Sequence, residues 1–87
     1  MPNVIMYFKP TCPYCQHAHF LLDGKGVQYT GIDIAAHPER REEMIGRANG
    51  RTTVPQIFIG ERHIGGFDDL NALDQRGELD KILAGRA

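Results

Sequence analysis

The stretch NVIMYFKPTCPYCQHAHFLLDGKG, residues 3–26, decides how the rest of the chain is read. Its opening, NVIMYF, is a short apolar, β-branched and aromatic run stopped by Lys9-Pro10, which predicts a buried strand rather than a helix of that length. From Pro13 to about Lys25 no breaker intervenes, apolar residues recur at Ala18, Leu21 and Leu22, and Gly24 and Gly26 close the run. A helix is predicted there, with Pro13 at its first position and Cys12 at its N-cap. Both cysteines of the chain, Cys12 and Cys15, thus fall at a strand-to-helix junction.

Past Gly26, VQYTGIDI (27–34) alternates enough for a second strand, with Val27, Tyr29, Ile32 and Ile34 as buried positions and a bulge at Gly31. HPERREEMIGRANG (37–50) predicts an amphipathic helix: Pro38 in the first turn, acidic residues early, Met44, Ile45 and Ala48 on one face, Gly50 as the stop. QIFIGERHIGG (56–66) reads as strands Gln56 to Ile59 and Arg62 to Ile64 joined by a Gly60-Glu61 hairpin. Asp68 or Asp69 can cap a helix carrying Leu70 and Leu73, and Leu79, Ile82 and Leu83 repeat at helical spacing towards the end. The order βαβαββα, plus a C-terminal helix, makes this an α/β chain. The early βαβ unit demands parallel strands with a right-handed crossover and the hairpin adds an antiparallel strand, so a mixed four-stranded sheet flanked by helices is expected.

With 87 residues the chain is read as one domain, 1–87, with room for one modest core and one site. Ten basic against eleven acidic residues, net charge −1, point away from nucleic acid and from anionic membranes. MPNVIMYF has no basic region leading into a long apolar run, and no stretch reaches bilayer-spanning length, so a cytoplasmic protein is expected. In a reducing compartment a lone cysteine pair points to catalysis or metal rather than to a permanent disulfide.

The spacing favours redox catalysis. Residues three apart share a helix face with Cβ atoms roughly 5–6 Å apart, close enough to the geometry a disulfide requires for the first turn to adjust. The free N–H groups and positive end of the helix dipole favour a sulfur anion at Cys12, and Lys9 adds positive potential. Cys15, one turn inside, is expected to be more buried and to keep its proton longer. Cys12 is therefore the expected nucleophile, with Cys15 resolving a mixed disulfide or standing idle. CPYCQHAH does gather two Cys and two His, but His17 and His19, two apart on one helix, point in different directions, so no metal is expected. His17, His19, His37 and His63 are read as partly exposed surface residues.

KPTCPYC (9–15), TVPQIFIG (53–60) and GGFDDL (65–70), in this order over almost the whole chain, resemble a glutaredoxin of the small bacterial dithiol (CPYC) type. The resemblance implies a thioredoxin-like fold and an enzyme that uses glutathione as reducing co-substrate to reduce protein–glutathione mixed disulfides and protein disulfides, serving thiol redox balance. It also implies a cis Pro55, with the backbone of Val54 directed at glutathione. Gly65-Gly66 would let the chain approach the ligand, and the N–H groups of Asp68 and Asp69 would receive the γ-glutamyl carboxylate, with an Asp side chain, Asp69 by the closer match, pairing the ammonium. Lys9 would meet the glycine carboxylate, assisted by Arg41, Arg51 or Gln56. Tyr14 would flank the sulfur and Thr53 would close the pocket. Phe67 departs from the pattern, since relatives commonly carry cysteine or serine there; a bulky ring could line the pocket edge or pack beneath the glycines.

The partners so implied are glutathione and glutathionylated or disulfide-containing proteins, including a reductive enzyme such as ribonucleotide reductase, and the default is a monomer. Two rivals remain: a thioredoxin-like reductant fed by a flavoprotein reductase, and an iron–sulfur protein in which Cys12 of two subunits and two glutathiones hold a cluster. The absence of tryptophan and the TVP with GGFDD pattern weigh against the first. The second is commoner in the family where the second cysteine is missing or the motif proline is replaced, and both residues are present here.

Overall fold

β1 (Val4–Phe8) becomes an inner strand because both of its faces are apolar, and a computed structural model, which describes residues 2–85, shows what covers each. The sheet has four strands in the order β2-β1-β3-β4, formed with β2 (Thr30–Asp33), β3 (Gln56–Ile59) and β4 (Arg62–Gly65). β1 runs parallel to β2, with Ile5 opposite Thr30, and antiparallel to β3, with Val4 opposite Ile59. β3 and β4 form the hairpin, turning at Gly60 with φ 61°. The fold is the mixed, helix-flanked sheet that the βαβ and hairpin readings demand.

Alternation along the strands divides the core in two. On one face Val4 and Met6 of β1 and Ile57 and Ile59 of β3 pack with Ala18 and Leu22 of α1 (Pro13–Gly24), Leu70 of α3 (Phe67–Gln75), and Leu79, Ile82 and Leu83 of α4 (Leu79–Leu83). On the other, Tyr7, Ile32, Ile34 and Phe58 pack with Met44 and Ala48, contributed by α2 (Arg41–Arg47) and its C-cap. Every residue of β3 is buried, so this strand is the shared wall of both cores. At about 1.5–3 kcal/mol per fully buried aliphatic or aromatic side chain, two such layers hold the strand rigid, and the segment just before it is therefore firmly placed.

Four local expectations need correction. The second strand is shorter than residues 27–34, because pairing with β1 begins only at Thr30; Val27 and Tyr29 are half-buried outside it and pack on the first core. No bulge occurs at Gly31, which stands in register opposite Met6. The missing side chain makes room for the Phe8 ring, whose Cε1 would lie 2.9 Å from a Cβ there. The irregularity lies between Ile57 and Phe58 in the β3–β4 pairing. The helix predicted from Pro38 begins as a 3₁₀ turn, Pro38–Arg40, before α2. Finally, the N-cap position of α3 is Gly66, and Asp68 and Asp69 stand inside its first turn; Asp69 still caps the helix from the third position, its carboxylate accepting the Gly66 N–H. The helical repeat read to the chain end continues through α4; Met1, Arg86 and Ala87 lie outside the described residues.

Candidate active site

Three chain segments meet where β1 passes into α1: the Cys12–Cys15 turn, the Val54–Pro55 segment entering β3, and the Gly65–Asp69 corner from β4 into α3. Cys12 is the N-cap of α1, with extended backbone (φ −88°, ψ 116°), and its sulfur accepts the Cys15 N–H at 3.2 Å. An otherwise orphaned helix donor is thereby satisfied by sulfur, and an anion is the better acceptor. Pro13 at the first helical position loses no bond. Opposite, the Cys12 Sγ–H reaches the carbonyl of Val54 at 3.6 Å. The Val54–Pro55 peptide is cis, and it precedes an inner strand, not an edge.

Cys15 is chemically unlike Cys12. It is fully buried, whereas Cys12 is half-exposed, and both are free thiols. Burial first, then hydrogen bonding with Cys12, push the Cys15 thiol up to about 12, against the opposing influence of Lys9. Below that value it holds its proton. Iodoacetamide at about pH 8 is therefore expected to alkylate Cys12 alone in the reduced, folded protein, with Cys15 reacting only as the pH climbs towards its own range or after unfolding. Peptide mass spectrometry after a short pulse reads the result; equal labelling at both sites would contradict the asymmetry.

Beside the cysteines lies a cleft of about 290 Å³ whose wall includes Tyr14, Thr53, Val54, Gly66, Asp68 and Asp69, together with Pro55, Arg51 and Phe67. Seven of the eight non-cysteine residues expected at the site thus share one wall; the exception is Lys9, which is exposed at the end of β1 and bonds the Cys12 N–H through its carbonyl. The tyrosine ring of Tyr14 is 57% exposed and stacks on Phe67, ring centres 6.5 Å apart. Phe67 fills both positions considered for it, lining the cleft while packing against the first core.

Of the three candidates to assist Lys9, Arg51 alone lines the cleft. It pairs with Asp69 at 3.2 Å, and the same carboxylate oxygen accepts the Gly66 N–H at 2.9 Å. The Gly66 N–H first, with Arg51 adding to it, holds the Asp69 carboxyl below its usual range. Gln56 does not face the cleft: it is fully buried, its amide spent between His63 at 2.7 Å and Thr53 at 3.3 Å. Sequence periodicity missed this because a strand with both faces buried offers no polar side on which to place a polar residue. Arg41 sits at the start of α2, away from the cleft lining.

His17 and His19 diverge, as their spacing requires. His17 packs against Tyr14 and Phe67, while His19 shares a hydrogen bond with the Tyr29 hydroxyl at 2.9 Å. Among the described residues no three His, Cys, Asp or Glu side chains group as a metal site, and no helix is long and apolar enough to cross a membrane.

Comparison with known proteins finds relatives in both sequence and structure. A family model described as Glutaredoxin matches residues 4–64. Glutaredoxin 3 of Escherichia coli (strain K12) is 58% identical over 83 residues, covering 95% of this chain and 99% of that protein. A glutaredoxin of Pseudomonas aeruginosa is 50% identical over 84 residues, covering 97% and 99%. Among solved structures, the solution structure of glutaredoxin from Brucella melitensis superposes with a TM-score of 0.82 at 53% identity, covering 95% of this chain and 89% of that one. The crystal structure of a buckwheat glutaredoxin–glutathione complex gives a TM-score of 0.87 at 27% identity, covering 98% and 79%.

Proposed function

This chain belongs to the glutaredoxin family of thiol-disulfide oxidoreductases, and from that footing we propose that it takes its electrons from glutathione and works in the cytoplasm on glutathionylated and disulfide-bonded proteins. The observation that carries the reading is the Arg51–Asp69 pair set at the α3 N-terminus in the same cleft wall as Val54, whose carbonyl touches the Cys12 sulfur. A γ-glutamyl group carries one carboxylate and one ammonium. Arg51 with the α3 N–H groups suits the first, and Asp69 suits the second. The peptide backbone of Val54 then pairs with the cysteinyl unit, and Tyr14 and Thr53 bound it. Lys9, close to Cys12 in sequence, takes the glycine carboxylate.

In the reaction the Cys12 thiolate attacks the glutathione sulfur of a mixed disulfide; the S–S bond breaks, the protein leaves as thiolate, and glutathione stays on Cys12. A second glutathione thiolate attacks that adduct, forming oxidised glutathione and restoring Cys12. With a protein disulfide, Cys12 forms the mixed disulfide and Cys15 then displaces the reduced protein, passing its proton to the leaving sulfur. The Cys12–Cys15 disulfide that results is reduced by two glutathiones. Cys15 is fitted for the late step: the contributions of Cys12 that help hold its proton on disappear once the Cys12 sulfur is tied up in a disulfide. Small-molecule mixed disulfide, glutathione, glutathione reductase and NADPH constitute the test. Turnover is expected; reduction driven only by a thioredoxin reductase would refute the glutathione reading.

A further inference from the structure

Gln56 is the one polar residue buried in the core among the described residues, and it bridges two others. Its Oε1 lies 2.7 Å from Nε2 of His63, and its Nε2–H group donates to Oγ1 of Thr53 at 3.3 Å. An amide oxygen only accepts, so the hydrogen between Gln56 and His63 belongs to the imidazole Nε2. The ring is fixed from behind by stacking on Phe58, centres 4.9 Å apart and planes 25° apart, and Phe58 is itself covered by Arg47. Burial first, and then the charge of Arg51, hold the imidazole below its usual range, with Asp69 opposing. A neutral ring with hydrogen on Nε2 follows.

The chain of bonds then runs one way, from His63 through Gln56 to Thr53. Because Thr53 accepts from Gln56, its own hydroxyl hydrogen is left to point elsewhere, and Thr53 is exposed on the cleft wall beside Val54. We propose that His63 is a positioning residue that, through Gln56, orients the Thr53 hydroxyl as a hydrogen-bond donor into the cleft, towards an oxygen of the bound glutathione moiety. The idea rests on the glutathione reading of the cleft. With the hydrogen on Nδ1 instead, Gln56 would turn its amide over, Thr53 would donate inwards, and the cleft would meet only oxygen lone pairs, which repel a carboxylate.

The test has two arms. Long-range ¹H–¹⁵N NMR on the unmodified reduced protein is expected to show the Nε2–H form of His63; an Nδ1–H form overturns the proposal, whatever the variants do. Kinetics on a glutathionylated cysteine peptide at saturating glutathione form the second arm. His63→Leu is expected to raise KM about fivefold with kcat held within about twofold, the size of one lost directional hydrogen bond to an anion. His63→Gln, which restores a donor, should recover most of the loss. In a Thr53→Val background, where there is no hydroxyl to orient, His63→Leu should raise KM no further. Additive effects would mean that His63 only packs, and would overturn the proposal while leaving the glutathione reading intact. No turnover of the unmodified protein with glutathione would refute that reading, and the proposal with it. An unfolded His63→Leu does not shelter the proposal, because the tautomer is read without any substitution.

Discussion

Cys12→Ser is expected to abolish reduction of both mixed disulfides and protein disulfides, whereas Cys15→Ser should keep mixed-disulfide turnover within about threefold and lose the two-thiol route. The asymmetry is physical. Serine offers an alkoxide precursor far too weakly acidic to replace a thiolate, and no S–S bond can form on it. Nor can Cys15 stand in: it is fully buried, and burial, the largest cause holding its proton on, persists when Cys12 is replaced. A loss of at least about 10³-fold is therefore expected for Cys12→Ser. Cys15→Ser leaves the Cys12 N-cap bond in place, since the donor is the residue 15 backbone N–H and not its side chain. The glutathione reductase-coupled assay with a small mixed disulfide, run beside one with a disulfide-bonded protein, separates the two routes. Equal losses in both variants would overturn the division of roles between the cysteines.

How much of this was legible in the sequence depends on whether the information was local. The CPYC turn, the N-cap position of Cys12 and the start of α1 at Pro13 are set by neighbours within a few residues, and they stand as read. So does the hairpin at Gly60-Glu61. The second strand was overextended because its true start is set by where β1 can pair, and Val27 and Tyr29 are apolar for packing rather than for strand alternation. Gly31 looked like a bulge because a glycine within a strand has that local meaning; its actual reason is the Phe8 ring, which no local pattern reveals. The cleft residues were named through resemblance, and Lys9 is the member that lies off the cleft wall. Arg51 was one cation among several in the sequence. Only the fold, by bringing Arg51, two residues ahead of TVP, against the corner after β4, distinguishes it.

That corner yields the second large effect: Gly65→Ala is expected to destabilise the protein and to weaken glutathione use together. Gly65 has φ +114°, a conformation that L side chains rarely adopt, at a cost of about 1–3 kcal/mol. A Cβ there would also sit 2.3 Å from Oδ2 of Asp69 and 2.7 Å from Nη1 of Arg51. Arg51 is long and can swing away. Asp69 is short, and moving its carboxylate breaks the 2.9 Å bond to the Gly66 N–H that caps α3. Losing such a cap costs about 1 kcal/mol more. Together these predict about 2–4 kcal/mol, enough in a domain of this size to lower Tm by more than about 10 °C. KM for the mixed disulfide should rise as well, because the displaced carboxylate is the one assigned to the ammonium of the γ-glutamyl group. Asp69→Ala separates the two causes: in that background the close contact is gone and only backbone strain remains, so adding Gly65→Ala should cost less stability than it does alone and should scarcely change KM. If instead Gly65→Ala lowered Tm as much in the Asp69→Ala background as in the unmodified protein, backbone strain alone would explain the glycine, and the packing of Asp69 against it would carry no weight.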